Sequence, residues 1–283
     1  MTTLSELHAA AHARGLSHYR RLSRAELEQA LSDGAGEVVA EPLEPSAEPV
    51  RLERDGPLAL IVLDDPASRN AIGSLAMDCL EAILDELERD RDIRLVAVTG
   101  AGRTFCSGAA IREFDALADG GTVLTDRGTR LFDRVEDLPM PTVALVNGHA
   151  VGGGAEVALA CDWRILAPDA ELRFVHASIG LVPGFGGLGR LRAALGEATA
   201  LRLLATCESV GGLRAVELGL AAEVVPAAEQ RACARRLAQR VAESDQHAVA
   251  TAKKALAAGT RAAEREAFLA CWPHRWIPPN ARA

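Results

Sequence analysis

Aromatic residues are scarce in this chain of 283 residues: Phe, Trp and Tyr make up 4%, against a hydrophobic fraction of 49%. A core must therefore be built from Ala, Leu and Val, which suits close packing of helices on a sheet. Paired cysteine motifs are also missing. Cys79, Cys106, Cys161, Cys207, Cys233 and Cys271 show neither C-x-x-C spacing nor a Cys/His pattern for zinc, so they read as reduced residues, most of them among apolar neighbours. No Lys/Arg block runs along any segment and the formal net charge is −8, a poor match for nucleic acid or an anionic membrane surface. The N-terminus has no apolar signal-peptide stretch, and no run approaches the ~20 residues needed to span a bilayer. These absences predict a cytoplasmic protein, and the length suits one large α/β domain with a small appendage.

Residues 1–33 read as a small helix-loop-helix module. Apolar residues recur at helical spacing from Leu4 to Leu31, Gly15–Tyr19 makes the turn, and Ser23 with Glu26 forms a capping box. The pattern resembles the helix-loop-helix module at the N-terminus of the transcription terminator Rho. Arg14, Arg20, Arg21 and Arg24 are offset by Glu6, Glu26, Glu28 and Asp33, which favours docking or structure over nucleic-acid binding. Residues 34–49 hold Pro42, Pro45 and Pro49 among glutamates, the composition of an extended linker. Beyond it, strands are expected at Pro57–Leu63, Leu95–Thr99 and Thr142–Val146, and helices at Leu75–Glu88, Thr129–Leu138 and Ala155–Ala160. Such alternation predicts a layered α/β core over 50–225. Helical patterns at Gln230–Val241, Ala248–Ala257 and Arg261–Ala270 predict a C-terminal helical region over 226–283.

The chemistry concentrates in two small-residue loops. Val143–Val146 reads as a strand feeding Asn147-Gly148-His149-Ala150-Val151-Gly152-Gly153-Gly154-Ala155-Glu156, a three-glycine turn that opens a helix. Glycines let backbone approach a ligand closely, and the first N–H groups of a helix lack internal partners at its positive end. Upstream, Thr104-Phe105-Cys106-Ser107-Gly108-Ala109-Ala110-Ile111 follows another strand and offers a second backbone donor. Two such loops facing one point would form an oxyanion hole, each donor contributing about 3 kcal/mol to barrier lowering.

These two loops, with Ala160-Cys161-Asp162 and Val182-Pro183-Gly184-Phe185-Gly186-Gly187, resemble the crotonase (enoyl-CoA hydratase/isomerase) superfamily from about Val50 to Val225. The resemblance implies a ββα spiral core and an acyl-CoA or acyl-carrier-protein thioester as substrate. No cofactor is implied beyond the coenzyme A or phosphopantetheine moiety itself. It also implies a homo-oligomer, a trimer or dimer of trimers, in which the tail carrying Phe268, Cys271, Trp272 and Trp276 packs over a neighbour. Position by position, the N–H groups of Ala109 and Gly153 become the oxyanion hole, and Glu156 falls on the first catalytic carboxylate of the hydratases. Pro66–Ala71 matches the segment lining the coenzyme A groove, with Arg69 a phosphate partner. Ala71, Ile111, Gly152 and Phe185 complete the substrate contacts.

Two departures qualify the match. Ala110 stands where many members have Asp, and His176 stands where the hydratases carry a second catalytic Glu. Hydration uses two acid/base groups, so an imidazole there favours another reaction. The run Arg173-Phe174-Val175-His176 is similar to the ethylmalonyl-CoA/methylmalonyl-CoA decarboxylase branch. This implies loss of CO₂ from a malonyl-type thioester, with Glu156 as proton donor and His176 bonding the carboxylate or supplying the final proton. Two alternatives remain: a hydratase or double-bond isomerase using Glu156, and a non-catalytic assembly component docked through residues 1–33.

Overall fold

The computed structural model describes residues 46–114 and 118–272, together with Leu7, Ala10, Glu28 and Leu31; of Arg112 and Phe114 only the backbone is described. Most of the expected N-terminal module, its capping box included, most of the linker, and Trp276 lie outside the described residues. The chain divides into two compact units, Met1–Glu44 and Pro45–Ala283, and the second holds the layered domain.

That domain has the α/β layering the sequence predicts. Strands β1 (Val50–Asp55), β2 (Leu58–Leu63), β3 (Leu95–Gly100), β5 (Thr142–Val146), β7 (Trp163–Leu166) and β10 (Glu223–Val224) form one sheet in the order β1-β2-β3-β5-β7-β10. Only β1 runs antiparallel to its neighbour, turning into β2 at Gly56 (φ +59°). β2, β3 and β5 are buried along their whole lengths, as parallel strands covered on both faces must be. One face packs on α1 (Ser74–Leu87), whose Met77, Leu80 and Leu84 point inward at helical spacing. The other face packs Leu60, Ala97 and Ile165 against Cys233, Ala234 and Ala238 of α8 (Ala227–Ala242).

A second, smaller sheet decides where the site forms. Its strands β4 (Thr104–Cys106), β6 (His149–Val151), β8 (Glu171–Arg173) and β9 (Ser209–Gly211) pair in the order β4-β6-β8-β9. β4 and β6 run parallel side by side, so the loop after Cys106 and the turn after Val151 leave the sheet together. Short α2 (Ile111–Phe114) follows the first loop, and α4 (Gly153–Ala160) follows the second. α3 (Gly120–Asp137) is tied to α1 by Arg127, which pairs with Asp78 and Glu81, and by Arg134, which pairs with Asp85 and Glu88. Arg190 of α5 (Gly187–Leu195) pairs with Asp133 and Glu136 on α3. Helices α6 (Glu197–Thr206) and α7 (Gly212–Glu217) lead back to β10.

The helical end of the chain comprises α8, α9 (Gln246–Ala258) and α10 (Arg261–Cys271). Lys253 docks α9 by donating to Asp162 (2.8 Å) and the Met140 carbonyl (3.2 Å), while Asp162 also accepts from the Thr142 N–H. Leu256, Phe268, Leu269 and Trp272 are exposed on α9, α10 and the residue beyond. All six cysteines are free thiols, and burial pushes those of Cys106 and Cys161 up to about 12. Among the described residues no helix is long and apolar enough to cross a membrane.

Candidate active site

The two small-residue loops meet. Gly152 adopts φ +54° and Gly108 φ +109°, conformations in which a side chain would be strained. A Cβ at Gly108 would lie 2.9 Å from the Val151 carbonyl oxygen, and one at Gly153 would lie 3.1 Å from the Ala109 nitrogen. Both loops thus need glycine to approach so closely. Ala109 forms a bridge with Ile72 in which its neighbours do the bonding: Ile72 N–H donates to the Gly108 carbonyl (2.8 Å) and Ala110 N–H to the Ile72 carbonyl (2.9 Å). The Ala109 N–H therefore faces the opposite way. Gly153 opens α4, so its N–H has no carbonyl within the helix. Among the described residues neither N–H is paired with an acceptor. Ala110 helps keep the loop in place through its backbone N–H.

Residues 65–72 hold the first loop from outside. Arg69 and Asn70 both sit at φ +60°, a left-handed pair that costs about 1–2 kcal/mol per residue. The buried Asn70 side chain holds it: Oδ1 accepts from Asp65 N–H (3.0 Å), and Nδ2 donates to the Ala101 (3.0 Å), Thr104 (2.8 Å) and Phe105 (3.3 Å) carbonyls. Ser107 then donates its N–H to the Arg69 carbonyl (3.0 Å) and its hydroxyl to that of Ser68 (2.9 Å). Asn70→Ala removes these anchors from one buried and two partly buried carbonyls, and a buried group left orphaned costs about 1–3 kcal/mol. Both melting temperature and kcat should fall, as thermal denaturation and steady-state assay of the same preparation will read.

Around the loops lies a cavity of about 480 Å³, lined by Gly108, Ala109, Gly152, Gly153, Glu156 and His176 and walled by apolar residues from Ile111, Leu124, Val175 and Phe185. Ile179, the last residue of a 3₁₀ turn (His176–Ile179) closed by left-handed Gly180, forms an exposed apolar rim with Leu181 and Val182. Ala109, Ile111, Gly152, Gly153, Glu156, His176 and Phe185 are thus brought together around one cavity. Arg69 and Ala71 are not among the lining residues: they lie on the supporting turn, with Arg69 exposed. A larger hollow of about 700 Å³ lies between α4, α5 and α9. Its Arg190 and Lys253 are already paired with carboxylates, which leaves them committed to the fold.

Glu156, in the first turn of α4, is 1% exposed and collects four donors. Oε1 accepts from Gly184 N–H (3.1 Å) and faces His176 Nε2 (3.1 Å); Oε2 accepts from Phe185 N–H (2.8 Å) and Gly187 N–H (2.9 Å). A carboxylate offers about four lone-pair sites, and here all are engaged. A Cβ at Gly187 would lie 2.5 Å from Oε2, so glycine is needed there. This geometry does not support the expected part of proton donor for Glu156: it is an acceptor that clamps residues 184–187. The carboxylate accepts, so its bond places an imidazole proton on Nε2. His176 is 7% exposed, and its buried Nδ1 has no partner among the described residues. The contact between Glu156 and His176 joins two residues far apart in sequence.

A sequence model of the family described as Enoyl-CoA hydratase/isomerase matches residues 53–270. The chain is similar to a probable enoyl-CoA hydratase of Bacillus subtilis (strain 168), 38% identical over 173 residues, 60% of this chain and 67% of that protein. It is also similar to the ethylmalonyl-CoA decarboxylase of Xenopus laevis, 37% identical over 177 residues, 62% of this chain and 59% of that protein. Among solved structures, the enoyl-CoA hydratase of Bacillus anthracis superposes with a TM-score of 0.75 at 29% identity, covering 79% of this chain and 90% of that one. With the paired glycine loops in place and the match spanning the layered domain, the chain belongs to the enoyl-CoA hydratase/isomerase family, the crotonase superfamily.

Proposed function

We propose that this chain is an acyl-thioester enzyme that holds an enolate against the Ala109 and Gly153 N–H groups and decarboxylates a malonyl-type acyl-CoA of the methyl- or ethylmalonyl class. The observation that carries this reading is the engagement of Glu156 by three backbone amides and His176. Hydration needs two acid/base groups free to position water and deliver a proton. Decarboxylation needs only an electron sink. The bond between the α-carbon and the carboxylate breaks, its electron pair enters the thioester carbonyl, and CO₂ departs. Negative charge then gathers on the oxygen facing the two amides. A proton given up by the imidazolium form of His176, which becomes the neutral ring and regains its proton from solvent, returns to the α-carbon and leaves the saturated acyl thioester. The reaction uses no group beyond the coenzyme A or phosphopantetheine of the substrate, and exposed Arg69 at the supporting turn is our candidate for a phosphate of that carrier. The likeness to the Xenopus ethylmalonyl-CoA decarboxylase supports the assignment.

A second reading, hydratase or isomerase, is favoured by the name of the Bacillus subtilis relative. An isomerase shuttles one proton and needs one such group. The two readings separate in one assay. Carboxyl-labelled methylmalonyl- and ethylmalonyl-CoA should release labelled CO₂ and yield propionyl- and butyryl-CoA by mass spectrometry, with crotonyl-CoA left unchanged. Loss of the conjugated enoyl absorbance without CO₂ release from any malonyl-type thioester would establish the second reading instead.

A further inference from the structure

We infer that Gly128 and Phe185 together set the length of acyl chain the cavity accepts, a claim resting on the acyl-thioester reading above. The face of α3 toward the cavity contributes Gly121, Leu124 and Thr125 to its lining. Gly128 is the next position on that face and Phe132 follows one turn later. Neither lines the cavity, because the Phe185 ring lies over them. A Cβ at Gly128 would overlap Phe185 Cδ1 and Cε1, and the ring centroids of Phe132 and Phe185 are 5.2 Å apart. On its other side the ring faces the oxyanion loop: a Cβ at Gly153 would lie 2.8 Å from Phe185 Cε2.

The ring is thus a plug seated between two glycines, with α3 below and the reacting centre beside it. Its backbone is held as firmly as its side chain. Phe185 N–H donates to Glu156 Oε2 (2.8 Å), its carbonyl accepts from Arg190 (2.6 Å), and Thr129 donates to the Gly184 carbonyl (3.1 Å). A chain growing from the thioester along α3 past Thr125 must meet this ring. The seat exists only because residue 128 has no side chain.

The test is equilibrium binding of saturated acyl-CoAs from acetyl to octanoyl, which do not react, to the full chain and to Phe185→Ala, Phe185→Leu and Gly128→Ala. Each buried methylene is worth about 0.8 kcal/mol, roughly fourfold in affinity. In the parent this gain per methylene stops where the chain reaches the ring. In Phe185→Ala it should continue for longer chains, in Phe185→Leu by a smaller extension, and in Gly128→Ala it should stop earlier because the displaced ring enters the cavity. A break point unchanged in the two Phe185 variants overturns the inference, as does a longer limit in Gly128→Ala. A shifted break point in a protein that releases no CO₂ overturns the decarboxylase assignment and leaves the plug standing. Absence of binding to every acyl-CoA overturns both.

Discussion

Replacing Gly153 by alanine should lower kcat by at least about 10²–10³-fold, the loss measured when one oxyanion donor is removed elsewhere. The added methyl would stand 3.1 Å from the Ala109 nitrogen, crowding the gap that the proposed hole leaves for the thioester oxygen. It therefore obstructs both donors at once. Gly153 is not among the glycines with positive φ, so alanine fits the backbone there. Its Cβ would press on Phe185 Cε2 at 2.8 Å, an overpacking cost of about 1–3 kcal/mol. A domain of this size loses about 2–4 °C per kcal/mol, so the variant should remain folded at assay temperature. Steady-state kinetics on the labelled malonyl-type thioester, beside a thermal melt, separates the two effects. Retained kcat in a folded Gly153→Ala protein would contradict the hole.

Glu156→Gln and His176→Asn should fail in different ways. An amide at position 156 turns its NH₂ either to the Gly184 N–H or to the N–H groups of Phe185 and Gly187, so at least one N–H is orphaned against a like group. With about 1–3 kcal/mol per orphaned group, the melting temperature should fall by about 5–10 °C and kcat with it. His176→Asn removes the imidazole yet leaves the three amides on Glu156, so the melt should shift by no more than about 3 °C. Turnover should still fall by about 10²–10⁴-fold, the worth of a placed proton donor. Glu156→Gln with an unchanged melt and abolished turnover would restore Glu156 to the role of proton donor.

Most of the large sheet was legible because its strands are continuous apolar runs, and Leu58–Leu63, Leu95–Gly100 and Thr142–Val146 fall where those runs lie. The small sheet was not. Its strands of three residues are too short to show a period, and β1, with exposed charges at its end, carried no apolar run either. Helix α3 starts at Gly120, nine residues before the expected Thr129, because its glycine-rich polar first turns lack an apolar stripe. Tertiary contact to α1 through Arg127 and Arg134 overrides that weak local preference. The glycines of the two small-residue loops were readable from composition and order. The clamp on Glu156 was not, since the N–H groups of Gly184, Phe185 and Gly187 carry no signal in a side-chain alphabet. Asn70 was missed for a related reason: its partners are carbonyls 31 to 35 positions away. Gly128 resembles any helical glycine until Phe185 is seen lying on it.

The convergence of two main-chain amides on one oxygen is tested most directly by a crystal structure with a saturated acyl-CoA bound. The thioester oxygen should lie within about 2.7–3.1 Å of both the Ala109 and Gly153 nitrogens. An oxygen that bonds to a side chain or to water, with those two N–H groups still unpaired, would contradict the account.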